Sequence, residues 1–301
     1  YKRPFIGAEG NSHVVVTATC GGTLSSFFMP NWQTWGYMNG PYTIATSVLW
    51  GGKPAFSPAN GNDVYLAYTT SSDLWVAHSA DGGQTWISSH IATTGTQLRY
   101  PSVAVDGGGN VYVVWADGDR VEASLDGRVR LSVSTNRGQS WSSPMNIHEL
   151  QPTSLFPSVT AGAVGKIDVA YYVAQNPAGV DVGADLGTLV TTWNIEVAQS
   201  LNANLSTRRF TRTVAISGFH TGSICTTDDY CENRAVVSAT NAPVPFDGRL
   251  GDFFRIDSDS AGNAIFAYPK DRSATSGDPS DALVPWVDLM AGRQTDGPVI
   301  R

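Results

Sequence analysis

Ser79-Ala80-Asp81-Gly82-Gly83-Gln84-Thr85-Trp86 and Ser134-Thr135-Asn136-Arg137-Gly138-Gln139-Ser140-Trp141 share one pattern, Ser-x-Asp/Asn-x-Gly-x-Thr/Ser-Trp, and their tryptophans stand 55 residues apart. The chemistry is that of a tight turn. A short Asp or Asn side chain caps free backbone amides, and glycine accepts a positive φ. The hydroxyl adds a local hydrogen bond, and the indole packs over the turn. Both copies follow strand-like flanks, Leu74-Trp75-Val76-Ala77-His78 and Val129-Arg130-Leu131-Ser132-Val133. A decayed third copy, Ser200-Leu201-Asn202-Ala203-Asn204-Leu205-Ser206-Thr207, has Asn204 for glycine and Thr207 for tryptophan. Asparagine tolerates the left-handed region better than most residues, so the first exchange is mild.

A second repeat runs through the chain: a proline, a few β-formers, a glycine turn, then an alternating strand. Pro4-Phe5-Ile6 leads through Gly10-Asn11 to Val14-Val15-Val16-Thr17, and Pro54-Ala55-Phe56 through Gly61-Asn62 to Val64-Tyr65-Leu66-Ala67-Tyr68. Pro101-Ser102-Val103 leads through Gly109-Asn110 to Val111-Tyr112-Val113-Val114-Trp115, and Pro157-Ser158-Val159 through Gly165-Lys166 to Ile167-Asp168-Val169-Ala170-Tyr171. A fifth unit, from Asp252-Phe253-Phe254 through Gly262-Asn263 to Ala264-Ile265-Phe266-Ala267-Tyr268, lacks the proline. These read as hairpins whose prolines open the strands, where no ladder donor is lost. Spacings of 50, 47 and 56 residues between the prolines fit one four-stranded propeller blade per repeat. A sixth blade fits either in the 95 residues from Pro157 to Asp252 or across the two chain ends jointly, so the expected fold is an all-β propeller of five explicit units and six blades, a single domain over 1–301 with a long loop at 217–250.

The turn pattern resembles the Asp-box of the sialidase and BNR-repeat superfamily, where it joins the two outer strands of a blade. The resemblance implies that Ser79, Asp81, Gly83, Thr85 and Trp86, with Ser134, Asn136, Gly138, Ser140 and Trp141, are structural and lie at the rim. The late cysteine loop and Leu250-Gly251-Asp252-Phe253-Phe254 are similar to exported BNR-repeat proteins without assigned activity.

Composition agrees. With 31 Gly, 16 Pro, 42% apolar and 15% charged residues, the chain suits many short strands. A net charge of −7 argues against a nucleic-acid partner, and no apolar run is long enough for a membrane span. Cys225 and Cys231, five residues between them and no histidine nearby, read as a small-loop disulfide, hence an extracellular or cell-surface protein. Cys20 is then the odd thiol, read as a small buried strand residue.

Residues preceding each inner strand, or following the alternating strands, converge on one mouth of a propeller. Lys2, Arg3, Gly52, Lys53, Arg99, Tyr100, Leu155, Phe156, Arg249 and Asp252 belong to this set, with Asp117 and Asp119. Sialidases carry an Arg-x-Pro triplet, further arginines that grip a carboxylate, an acid/base Asp and a Tyr–Glu pair. Arg99-Tyr100-Pro101 fits the triplet, but in the third repeat; the first reads Lys2-Arg3-Pro4, and an ammonium does not replace a guanidinium fork. Neither the full arginine triad nor the Tyr–Glu pair can be placed. Glycosidase chemistry needs two carboxylates about 5 to 10 Å apart, and Asp252 with Asp117 is the candidate pair. Asp252 is otherwise a turn cap, and Arg99 otherwise a bridge between blades. No cofactor is required; calcium could be held by Asp117 and Asp119 through oxygen donors. The expectation is a non-catalytic module that binds glycan or protein through Arg99, Lys2, Arg3, Tyr100 and Arg249 or serves as a surface structural unit, the alternative a sialidase-like glycoside hydrolase acting on an anionic glycan at the central mouth.

Overall fold

The computed structural model describes residues 2–9, 13–30, 38–93, 99–121, 124–147, 153–175, 191–224, 246–247, 254–271 and 287–301, and every regular element among them is a β-strand. The first sheet holds β1 (Lys2–Glu9), β2 (His13–Cys20), β3 (Thr23–Met29) and β4 (Asn39–Ala45). In the second, β5 (Trp50–Gly51) and β6 (Ala55–Ser57) both pair β7 (Asn60–Thr69), followed by β8 (Asp73–Ser79) and β9 (Ile87–Thr93). The third contains β10 (Arg99–Val105), β11 (Val111–Val121), β12 (Ser124–Ser134) and β13 (Met145–Asn146). The fourth contains β14 (Ser154–Ala161), β15 (Ile167–Gln175), β16 (Thr191–Ser200), β17 (Thr211–Ile224) and β18 (Phe246–Asp247). The fifth has β19 (Arg255–Ser258), β20 (Ala264–Asp271) and β21 (Val287–Arg293). Each sheet is an antiparallel meander, with β18 parallel to β17.

The first strands of the sheets touch in sequence, β1 on β6, β6 on β10, β10 on β14 and β14 on β19, which makes them the inner strands. The series then returns on itself. The Arg255 guanidinium of β19 lies 5.2 Å from the Phe5 ring centroid of β1, and Lys53 Nζ is 3.9 Å from Asp257 Oδ2. Close approach of these strands needs small residues: a Cβ on Gly7 would stand 2.7 Å from the Pro54 carbonyl oxygen, and one on Gly52 2.6 Å from that of Pro101. Second strands are covered on both faces by neighbouring sheets. Residues 63–69 and 167–174 are therefore buried without alternation, as strands covered on both sides are.

Four apolar clusters fill the seams between sheets. One, around Leu24, Leu66, Tyr68 and Trp86, joins sheets one and two; another, around Tyr65, Val103, Val113 and Trp141, joins two and three. Tyr112, Leu131, Val159 and Tyr171 lie in the third seam, and Tyr172, Trp193, Phe219 and Phe254 in the fourth. Each such side chain contributes about 1.5–3 kcal/mol when fully buried.

Several expectations are corrected. The prolines do not open the inner strands. They sit where the pairing register shifts, between Lys2 and Phe5, Arg99 and Ser102, and Leu155 and Ser158, and Pro54 lies in the break between β5 and β6. A bulge is a second place where a missing N–H leaves no ladder bond unmade. In the second sheet the turn falls at residues 58–59, so Gly61 and Asn62 already belong to β7. Leu155 and Phe156 are core residues and do not line a mouth. Phe156 has φ 51°, a left-handed conformation at the bulge, and its ring packs edge-on against Tyr172 at 5.6 Å. The strain, about 1–3 kcal/mol, is of the size that burying the ring returns. Asp117 and Asp119 do not follow the alternating strand but stand within β11, paired with Arg128 and Asp126. Strand β17 continues to Ile224, beyond residue 217. Cys20 is an exposed free thiol at the end of β2, because the strand stops there at the Gly21–Gly22 turn. Five sheets are found among the described residues; the described part of 158–251, one of the two places for a sixth blade, forms the end of β14, β15 to β18 and their connections, all in the fourth sheet.

Candidate functional site

The inner strands begin at one end of the sheets, and the candidate site is built there. Backbone positions are described for Lys2 and Arg3 in β1, and for Arg99 and Tyr100 in β10. Arg99 pairs with Ala116, so Asp117 is the next residue of β11 at the same end of the third sheet. Asp252, Arg249, Cys225 and Cys231 lie outside the described residues. Lys53 and Asp257 form an exposed ion pair, 52% and 64% exposed at their side chains. Arg255 is half-buried, its Nη1 donating to the Phe254 carbonyl oxygen at 2.7 Å while its face lies over Phe5. Serine hydroxyls tie neighbouring inner strands: Ser102 Oγ accepts from the Val159 amide and Ser158 Oγ from the Ile256 amide, both at 3.2 Å.

The turns with the repeated pattern lie at the opposite end, where inner strands finish; the Gly82 amide donates to the Asn62 carbonyl oxygen at 3.0 Å. They join β8 to β9 and β12 to β13. In the first, Ser79 Oγ accepts from the Gly83 amide (2.8 Å) and donates to Asp81 Oδ1 (2.7 Å). Asp81 Oδ1 also accepts from the amides of Gln84 (3.0 Å) and Thr85 (2.8 Å), and Oδ2 from the Thr85 hydroxyl (2.6 Å). Partial burial raises the Asp81 carboxyl, but the hydrogen bonds from Thr85, Ser79 and the Gln84 amide outweigh it and bring the pKa to about 2. Trp86 Nε1 donates to Gly83 O (3.0 Å) and to Ser26 Oγ of the first sheet (2.9 Å). The second copy repeats this through Ser134, Asn136, Gly138 and Ser140, with Trp141 Nε1 on Gly138 O at 3.1 Å. In the third, Asn202 Oδ1 accepts from Ser200 Oγ (3.3 Å), but Asn204 is not among the positive-φ residues, so the mild exchange changes the turn. Asp81→Ala should lower stability by about 0.5–2 kcal/mol, the cost of a lost amide cap, with ligand binding unchanged. Denaturant titration beside a binding assay checks both; loss of binding in the folded variant would contradict a structural role.

A Tyr–Glu pair is present, though away from the mouth. The Tyr171 hydroxyl donates to Glu196 Oε1, with Arg212 Nη1 3.9 Å from the same oxygen, in the middle of β15 and β16. Tyr171 is fully buried; burial first, then the Glu196 hydrogen bond, pushes its phenol far up.

Two carboxylates escaped the sequence reading. Asp106 accepts from the amides of Gly108, Asn110 and Gly165, from Asn110 Nδ2 and from the Tyr112 hydroxyl. Asp259 does the same for Ala261 and Asn263 and holds Arg293 at 2.6 and 2.9 Å. Both stand in the sequence pattern Asp-x-x-Gly-Asn, in which the aspartate caps the turn that the Gly-Asn pair makes. Among the described residues no group of three or more His, Cys, Asp or Glu could hold a metal.

Sheets of antiparallel strands, inner strands in mutual contact and a fifth sheet returned to the first define a propeller-like fold. Solved structures of similar fold include an ulvan lyase of polysaccharide lyase family PL25, bound to -[GlcA(1-4)Rha3S]-, with TM-score 0.54 and 14% identity over 98% of this chain and 68% of that one. The endosialidase of phage phi92 aligns with TM-score 0.50 and 10% identity over 96% of this chain and 52% of that one. The chain spans 32% of the NanB sialidase of Streptococcus pneumoniae, at 12% identity over 86% of its own length and TM-score 0.45. No family model and no curated protein matches the sequence.

Proposed function

We propose that the chain is an exported, sialidase-like β-propeller of the Asp-box, BNR-repeat type, and that it binds an anionic glycan without turning it over. The observation that carries this reading is the cationic character of the inner strands. Arg255 stands on β19, Lys53 lies in the break between β5 and β6, and Lys2, Arg3 and Arg99 occupy the starts of β1 and β10. The ulvan lyase of similar fold holds a saccharide bearing a uronic acid, and a guanidinium fork suits such a carboxylate. The binding-only reading is supported by the Tyr171–Glu196 pair, whose burial within a sheet leaves it unreachable by substrate. The alternative, a glycoside hydrolase with Asp252 and Asp117 as its carboxylates, draws on the enzymatic names of the structures of similar fold.

A glycan array beside a fluorogenic panel of sialosides, uronides and neutral glycosides separates the two. Binding to acidic glycans is expected, weakened about tenfold in Arg99→Ala by loss of a charge-assisted fork, with no turnover. Turnover abolished by Asp252→Asn in a folded protein would replace this reading with the enzyme; a silent array would remove the glycan. Export rests on the Cys225–Cys231 bridge. Peptide mapping under non-reducing conditions should recover the two cysteines linked, and free thiols at both would withdraw it.

A further inference from the structure

The first two Asp-type turns each sit on the preceding sheet, and an indole fills the seam beneath each. The Gly83 turn lies on Val15, with Trp86 packed among Leu24, Leu66 and Ala45; the Gly138 turn lies on Tyr65, with Trp141 beside Ile91 and Ala92. In the third seam Phe210 and Arg208 take that place, Arg208 Nη1 lying 3.7 Å from Met145 Sδ. The third strand of the fifth sheet also ends in a turn, at Gln294-Thr295-Asp296-Gly297-Pro298, but one built differently: Asp296 accepts from the next amide, where Asp81 accepts from those three and four residues on. Gly297 has φ 88°, as Gly82 has 75°, its amide donates to Asp296 Oδ1 (2.7 Å), and Gln294 Nε2 donates to Pro298 O (2.9 Å). Seven residues after the first turn residue, where Trp86 and Trp141 stand, the chain has the exposed Arg301.

Here the seam is open. A cleft of about 460 Å³ remains between sheets four and five, walled by Val197, Val214, Ile216, Ala264, Phe266 and Pro298. That volume is within the range of small-ligand sites. Asp168 lines it, at the register where the second and third sheets have Tyr65 and Tyr112: each follows the residue paired with the turn serine. Asp168 is fully buried. Its Oδ1 accepts from Gln199 Nε2 at 2.8 Å, but Oδ2 has no partner. Gln199 Nε2 also donates to Pro298 O (2.9 Å), so that carbonyl already receives two donors, while Asp168 Oδ2 receives none.

We propose that this cleft receives a tryptophan side chain from a polypeptide partner, its indole N–H donating to Asp168 Oδ2. A planar ring with one donor is what the first two seams contain, and it meets both needs of the cleft, apolar walls and one unsatisfied buried acceptor. A sugar ring fits less well. A sugar ring carries several hydroxyls, each of which needs a partner, into a cleft whose walls are mostly apolar.

Saturation-transfer NMR on the full chain, with N-acetyltryptophanamide as probe, tests the assignment. Saturable binding is expected, at least tenfold weaker for the 1-methylindole analogue and for Asp168→Val, which places at this seat the residue type found at Val15. A retained thermal transition shows that the variant is folded, and Arg301→Trp, which offers an indole from within, should compete with the probe. Equal binding of the N-methylated analogue, no binding to wild type, or displacement of the probe by a methyl glycoside would overturn the proposal. None of these readouts involves the inner-strand face, so the glycan reading stands or falls separately.

Discussion

Asp106→Ala is expected to cost about 3–5 kcal/mol, the scale for removing one partner of a buried charged network, out of a total that for most domains is about 5–15 kcal/mol. The carboxylate is wholly buried and receives five donors. Four come from its own hairpin, and the fifth, the Gly165 amide at 2.7 Å, comes from the next sheet. Alanine leaves these donors facing a void, and each unsatisfied buried group costs about 1–3 kcal/mol. Burial first, then the Asp106 hydrogen bond, pushes the Tyr112 phenol far up, so it remains a donor at any physiological pH. Asp106→Asn should be somewhat milder, because Oδ1 can still accept from the Gly108 and Asn110 amides and the Tyr112 hydroxyl can rotate to receive the new N–H, although the Gly165 amide loses its acceptor. Denaturant midpoints give the two costs, and hydrogen exchange should show the seam between sheets three and four opening first. A loss below about 1 kcal/mol in Asp106→Ala would mean that water replaces the carboxylate.

The blades were legible because their signals are local. A Ser-x-Asp turn with glycine and tryptophan satisfies its own amides within eight residues, so Ser79 to Trp86 reads directly as a turn between outer strands. Alternation in Val111–Trp115, or in residues 264–268, marks a strand without reference to the rest of the chain. What failed depends on long-range contact. Proline reads equally as a strand start or a bulge, and the choice was made by the pairing of Arg99 with Ala116. Leu155 and Phe156 were assigned to the mouth by position, yet Tyr172 and Phe254 wait behind them, and an apolar pair goes where it can be buried. Asp168 looked like an ordinary polar break in a strand. Its burial follows from the arrival of the fifth sheet, some 130 residues later, which no local pattern announces.

That same burial gives Asp168→Asn a pH-dependent effect. Burial pushes the carboxyl up to about 6, against the lowering by Gln199, whereas in an unfolded chain it titrates near its ordinary value of about 3.9. The folded state therefore holds the proton more tightly than the unfolded state. Below pH 4 both states are protonated and the group's contribution is at its full value. As pH rises through 4 to 6 the unfolded chain ionises first, and stability falls by roughly 3 kcal/mol in all, at 1.36 kcal/mol per pKa unit. Asparagine keeps an acceptor for Gln199 and does not titrate. The stability of Asp168→Asn relative to wild type should thus grow by about that amount between pH 3.5 and 7.5, read from urea titrations at a series of pH values. Arg293 and Asp296 line the same cleft and Asp259 holds Arg293, and all three are present in both proteins, so what they contribute is common to both curves and largely leaves the difference. A difference that does not change with pH would mean that Asp168 meets solvent or a cation in the folded protein. If the slope is found, a donor bound in the cleft should flatten it, because stabilising the ionised carboxylate lowers the folded pKa towards the unfolded one.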